Sequence, residues 1–280
     1  MQNSQKTEFS FLQWNTLNSE YSNIEAFPKA DPKILTWDYR KPLIEEELKK
    51  IQADIICLEE VNAGDVEFFK SVFQDKYETT YQKKGKSSEG LCFLYSKEKF
   101  EGIVQPKLES YIDADGKPQS YVYQIHILKL KNKENHFLIV GLTHLKSKSA
   151  FASARLQQVD QFTKFLKVTT EEFKSQNPGA KVATLVGGDF NDEPHSEVLQ
   201  RMKNETNLKS VFEGVEFTTF KHREKEYCRV IDYILYDDQA LSLEKRGEIP
   251  QKKDLGEFGL PNEKHPSDHL PIYCTFAFSN

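Results

Sequence analysis

Chemistry first shows in this chain where an apolar run, residues 182–186, breaks into Gly187-Gly188-Asp189-Phe190-Asn191. A buried strand that stops this abruptly in a carboxylate reads as an active-site edge. Asp189 and Asn191 lie two apart and so leave the strand end on the same side. The carboxylate can accept a proton or bind a cation, and the amide can donate to an anionic oxygen. The glycines let the backbone pass close to a ligand or another segment. The same motif also makes ordinary turns, so its meaning depends on its company. Asn15 ends the run 9–14, Glu60 ends 54–59, His144 ends 136–143, Asp232 sits inside 230–235, and Asp268-His269 follow Pro266-Ser267. Taken singly, each could be a turn, a surface residue or a satisfied core group. Asp232, in an apolar strand, needs a partner on either reading. Six such positions together point to one shared site.

The elements that must carry these ends follow from periodicity. Strands are expected over 9–14, 54–60, 77–81, 91–95, 119–131, 136–143, 229–236, 242–248 and 271–278. Helical spacing marks 39–51 with Pro42 in the first turn, 65–74 capped by Asp65, 151–173 and 197–202. Residues 83–88 read as a flexible basic loop, and 249–265 carry no clear pattern. Hairpins interrupted by helices argue against a purely parallel sheet. The expectation is an α/β protein: two packed mixed sheets with helices on their outer faces, in a single domain over 1–280.

The 280 residues are 38% hydrophobic and 29% charged, ordinary for a soluble globular chain, and the net charge of -5 argues against a generic charge-driven nucleic-acid binder. Cys57, Cys92, Cys228 and Cys274 are far apart and mostly sit in apolar runs, which fits reduced core residues. No apolar run approaches the ~20 residues that span a bilayer. A cytoplasmic, monomeric protein without membrane contact is expected.

Gln13-Trp14-Asn15, Leu58-Glu59-Glu60-Val61, Thr143-His144-Leu145, Gly188-Asp189-Phe190-Asn191, Ile231-Asp232-Tyr233 and Ser267-Asp268-His269 stand in an order that resembles the endonuclease/exonuclease/phosphatase superfamily. Trp37-Asp38-Tyr39-Arg40 is similar to its deadenylase branch. Residues 143–148, Thr218-Thr219-Phe220-Lys221 and 266–270 are similar to the nocturnin family within it. The resemblance implies a four-layer, deoxyribonuclease I-like α/β sandwich, a divalent metal and phosphate-ester hydrolysis. The nocturnin pattern implies removal of the 2′-phosphate of NADP(H).

Carboxylates that converge repel, by ~4 kcal/mol per pair at 4 Å and an effective dielectric of 20, so a cation is expected among them. Oxygen ligands without clustered Cys or His favour Mg²⁺ or Mn²⁺ over Zn²⁺. Glu60 is the expected principal ligand, as the family also implies, with Asn15 and Asp268 as helpers. Asp189 is read as general base or orienter of the attacking water, and Asn191 as a holder of phosphoryl oxygen. Asp232 is read as the partner of His269; His269 and His144 would stabilise developing charge. Lys146 and Lys148 are candidates to grip a terminal phosphate, with Lys83 and Arg155 beside them and Phe220 stacking on adenine. Alternatively they are a solvated loop and a core aromatic. Three departures bear on the adenosine side. The loop 83–90 is short, Glu59 replaces the usual glutamine, and Arg229 is one position off. NADP(H) is the leading substrate, with poly(A) RNA and 3′–5′ exoribonuclease activity as the alternative. A non-catalytic binding module is disfavoured by the intact set Glu60, Asp189, Asn191, Asp232 and His269.

Overall fold

Alternation along a strand decides which residues face the opposite sheet, and that rule organises this molecule. The computed structural model describes residues 7–222 and 225–279. In chain order the elements are β1 (Glu8–Asn15), α1 (Trp37–Ile51), β2 (Ile55–Asn62), α2 (Val66–Val72), β3 (Tyr77–Lys83), β4 (Glu89–Ser96), β5 (Phe100–Gly102), β6 (Lys107–Ile112), β7 (Pro118–Leu130), β8 (His136–His144), α3 (Ala152–Gln176), β9 (Lys181–Asp189), α4 (Glu197–Thr206), β10 (Lys209–Ser210), β11 (Thr219–His222), β12 (Glu226–Arg229), β13 (Asp232–Tyr236), β14 (Leu241–Arg246) and β15 (Ile272–Phe278).

One sheet runs β14-β15-β1-β2-β4-β3 and the other β10-β13-β9-β8-β7-β5, with β6 also on β7. Both are mixed: β1 lies parallel to β2 and β8 parallel to β9, each among antiparallel neighbours. Phe9, Phe11, Ile55, Cys57 and Phe93 of the first sheet share a core with Leu138, Val140, Leu185 and Ile234 of the second. On the outside, Ile44, Leu48 and Phe69 of α1 and α2 cover Leu12, Trp14, Ile56 and Leu58. Val159, Phe162, Leu166, Val198 and Met202 of α3 and α4 cover Ile125, Ile139 and Val186. The result is the expected four-layer α/β sandwich.

The same parity places the polar residues. Phe9 and Phe11 face the inter-sheet core, so Gln13 and Asn15 follow them on that face. Leu138, Val140 and Leu142 lead to His144, Ala183 and Leu185 lead to Asp189, and Asp232 precedes Ile234. Register then lines them up, with His144 opposite Asp189, Asp189 opposite Asp232, and Asn15 opposite Glu59. Glu60 breaks the parity. The register shifts between Leu58 and Val61, and Glu60 takes a left-handed φ of 57°. A bulge of this kind re-aims one side chain, and strain at a non-glycine residue is characteristic of functional sites.

Several expectations change. Asp65 makes no capping hydrogen bond to α2; Asn62 instead caps the preceding short turn by accepting from Gly64 N–H. The expected strand 229–236 divides into β12 and β13 around Val230 and Ile231. Residues 83–88 form a tight turn in which Lys84 is buried, rather than a free loop. The stretch 249–265 joins a small core in which Leu255 and Leu260 pack with Phe217 and Phe220. All four cysteines are free. Among the described residues, no helix is long and apolar enough to cross a membrane.

The two glycines before Asp189 serve another chain segment. A Cβ on Gly188 would stand 2.2 Å from the Thr143 carbonyl oxygen, and one on Gly187 would meet Phe11 of the opposite sheet at 3.0 Å. Gly188→Ala should therefore cost at least roughly 1–3 kcal/mol, read from urea unfolding at constant m-value. An unchanged midpoint would mean that β8 and β9 separate freely at this end.

Candidate active site

Asp189 lies at the centre, 2% exposed. Its Oδ1 accepts from Asn191 N–H at 2.8 Å and its Oδ2 from Asn15 Nδ2 at 3.1 Å. His144 Nε2 and His269 Nε2 stand 3.7 and 3.9 Å from the same Oδ2. Burial, followed by the Asp232 charge, raises the Asp189 carboxyl to about 7 against the pull of His269. Asn191, at a φ of 53°, gives its Nδ2 to the Leu145 carbonyl at 3.0 Å. Glu60 is held on both oxygens, by Asn15 Nδ2 and by Asn18 N–H, each at 3.0 Å. Asn15 Oδ1 accepts from Leu17 N–H, so this amide ties Glu60 to Asp189.

Asp232 is fully buried between three donors. Its carboxylate accepts from His269 Nδ1 at 2.9 Å, from Thr218 Oγ1 at 2.6 Å and from Gln13 Nε2 at 3.3 Å. Burial alone would depress His269, but Asp232 and Asp268 lift it to about 10, so it is an imidazolium with Nδ1–H committed to Asp232. His144 differs. Burial, Lys84 and His269 together push it well below its usual range, and it is neutral. Asp268 pairs with Lys221, which outweighs burial and, with His269, lowers that carboxyl to about 2.

A cavity of about 880 Å³ opens above this floor, lined by Glu60, Glu89, His144, Asp189, Asn191 and His269, with Lys84, Lys148 and Lys221 contributing cationic groups. The expected substrate residues divide. Lys148 lines this cavity, but Lys146 lies with Nζ 4.0 Å over the Phe151 ring. Lys83 is exposed at the end of β3; its neighbour Lys84, in the turn that follows, is 8% exposed and pairs with Glu89 at 2.8 Å. Arg155 is buried and spent. It pairs with Asp192 at 2.9 Å and donates to the Lys146 and Lys148 carbonyls, so it shapes their loop without facing the cavity. Phe220 is 1% exposed in the Phe217 and Leu260 core and has no free face to stack on a base.

The match to known proteins runs through these residues. Residues 12–269 match the model of the Endonuclease/Exonuclease/phosphatase family. The chain belongs to that family. Nocturnin of Xenopus laevis is 27% identical over 98% of this chain and 74% of its own length. The Ccr4 exoribonuclease subunit of the CCR4-Not complex of Kluyveromyces lactis is 23% identical over 98% of this chain but only 42% of its own, so the chain spans less than half of that relative. Among solved structures, ANGEL2, a 2′,3′-cyclic phosphatase, in complex with adenosine-2′,3′-vanadate, superposes with a TM-score of 0.86 at 20% identity, covering 98% of this chain and 97% of that one. The human nocturnin catalytic domain with bound sulfate gives 0.74 at 23% identity, covering 98% of each chain. The fold is common to all of them.

Members of this family are metal-dependent phosphoesterases, and the donor set here fits a divalent cation. Glu60, Glu89 and His144 each bring a ligand atom within 4.8 Å of the others. Glu89 Oε2 is buried without a hydrogen-bond partner. A second trio, Asp189, Asp232 and His269, also converges, but there the imidazolium already supplies the positive charge. Asp268 belongs to neither trio and is committed to Lys221. Glu59, fully buried, accepts from Gln13 Nε2 at 2.9 Å. Burial, with Asp232 and Asp189 near, raises its carboxyl well above the usual carboxylate range.

Sequence reasoning passed over Thr218, Lys221, Lys84, Glu89 and Arg40. Thr218 and Lys221 belong to the Thr-Thr-Phe-Lys motif, which could have marked them. Arg40 is the arginine of the Trp-Asp-Tyr-Arg motif. It is fully buried and donates to the carbonyls of Thr16, Leu17 and Pro266 at 3.0, 2.8 and 2.9 Å. It thus joins the loop after Asn15 to the loop before Asp268. Arg40→Met leaves three buried carbonyls unsatisfied and should cost at least about 3 kcal/mol, measured by chemical unfolding. Arg40→Lys should recover only part, since an ammonium cannot reproduce the fork.

Proposed function

We propose that this chain is a Mg²⁺-dependent phosphatase that removes a terminal phosphate from a nucleotide, the 2′-phosphate of NADP(H) being the leading substrate. The observation that carries this is the cavity. At about 880 Å³ it falls within the ~300–1,000 Å³ of small-molecule sites. Lys148 on its wall, with Lys84 and Lys221 held beside it by Glu89 and Asp268, suits a compact, doubly charged phosphate.

In this reading Glu60 is the principal residue holding the cation, which supplies Lewis-acid polarisation of a phosphoryl oxygen. Asp189, fixed by Asn15 and Asn191, orients the attacking water and takes its proton. His269 keeps Nε2–H for a phosphoryl oxygen because Asp232 holds Nδ1–H. Neutral His144, beside Asp189 Oδ2, can donate to the same group without adding charge. Asn191 and Lys148 steady the phosphate from the cavity wall. Positioning and electrostatics carry the catalysis, as in other phosphoryl transfers.

The second reading is a 3′–5′ exoribonuclease acting on poly(A). It is favoured by Tyr21, Tyr121 and Tyr227 around the same cavity, since aromatic faces accept bases of any sequence.

Purified protein with Mg²⁺ should release inorganic phosphate from NADP⁺ and NADPH and leave an oligo(A) substrate intact. Stepwise shortening of oligo(A) with NADP(H) untouched would reverse the order of the two readings. Within the phosphatase reading, Lys148→Ala should raise KM for NADP(H) by about tenfold or more, roughly the 1.4 kcal/mol or more of one lost charged contact. Lys146→Ala, whose ammonium lies over Phe151, should leave KM within about twofold. Steady-state kinetics of the two variants separates their roles; the opposite ranking would move the phosphate to the other side of this loop.

A further inference from the structure

Glu89 is a second buried carboxylate facing the cavity. It begins β4, is 3% exposed, and uses its two oxygens differently. Oε1 accepts from Lys84 Nζ at 2.8 Å, and that ammonium lies 4.1 Å from the centre of the Tyr121 ring. Oε2 has no hydrogen-bond partner although it is shut off from solvent. A buried carboxylate oxygen ordinarily has a partner, and this one, on a side chain that lines the cavity, has none within the protein. That side chain converges with Glu60 and His144, one ligand atom from each lying within 4.8 Å of the others. Two carboxyl groups at this spacing, with a single ammonium beside them, suit a cation held between them.

We propose that Glu89 is a shared carboxylate: Oε2 completes the divalent-cation site with Glu60, while Oε1 holds Lys84 at the phosphate-binding wall. One rigid side chain then sets the spacing between the cation and the ammonium, and so selects a phosphate that reaches both. Glu89 acts on substrate through these two groups and is a positioning residue in that respect. The turn that carries it supports the placement. Lys84 N–H donates to the Glu89 carbonyl at 2.8 Å, so the lysine and the carboxylate are also joined through the backbone. The inference rests on the metal-dependent reading of the site and adds a residue to it.

The test is binding of Mn²⁺ alone, followed by electron paramagnetic resonance, and of inorganic phosphate in the presence of Mn²⁺, followed by calorimetry, on the full chain. Glu89→Gln should weaken Mn²⁺ binding tenfold or more and weaken phosphate as well. Lys84→Met should weaken phosphate tenfold while Mn²⁺ affinity stays within threefold of wild type. Glu89→Asp keeps the charge but is one methylene shorter and cannot reach both partners. It should fall between wild type and Glu89→Gln, and it serves as the folded comparison if the glutamine variant melts early. Mn²⁺ affinity in Glu89→Gln within twofold of wild type, with Glu60→Gln binding none, would reduce Glu89 to a counter-ion and leave the metal site standing. Absence of Mn²⁺ binding in the wild type would overturn the metal reading itself, and this inference with it.

Discussion

Six carboxylates, those of Glu59, Glu60, Glu89, Asp189, Asp232 and Asp268, are drawn into one end of the sandwich, and all but Glu60 are nearly or wholly closed to solvent. Each unscreened pair at about 4 Å would cost ~4 kcal/mol at an effective dielectric of 20. The surrounding structure answers that repulsion group by group. Asp232 has an imidazolium and a threonine hydroxyl, Asp268 a lysine, Glu89 a second lysine, and burial shifts the Glu59 carboxyl toward its neutral form. Glu60 and Asp189 share one asparagine amide. Glu60 and Glu89 have no such answer to each other, and with His144 they converge where a divalent cation fits.

The sheets make this concentration possible. Strands that place apolar residues at every second position toward the core place their last inward residue at the rim, on the same face. Phe9, Phe11, Gln13 and Asn15 follow that rule, as do Leu138, Val140, Leu142 and His144. Parallel pairing of β1 with β2 and of β8 with β9 brings carboxyl ends to the same edge. Glycine at 187 removes a side chain that would press on the opposite sheet, and glycine at 188 one that would press on the neighbouring strand β8. Glu60 is the exception, turned by a bulge and a left-handed backbone. Arg40 then closes the two loops that flank Asn15 and Asp268.

Asp189, Asp232, His144, Glu60 and Asn15 were legible because each ends or interrupts an apolar run, and His269 because it stands in the Ser-Asp-His motif. The layers were legible from the same periods. Other cavity-lining residues were not, because surface lysines are common and the turn after β3 decides which of two adjacent lysines is buried. Lys84 lines the cavity where Lys83 does not, and Arg155 and Phe220 are buried away from it. Glu89 was invisible for a related reason. It stands at a strand start next to a glycine, and only folding sets it beside Glu60.

By itself, then, the sequence determined the alternation of the strands and the chemical identity of the groups at their ends, because these depend on local period and residue type. The tertiary structure decided which charges meet and which proton state each group holds. Those properties depend on burial and on neighbours as distant in the chain as Gln13 and Asp232, which touch only when the two sheets are packed face to face.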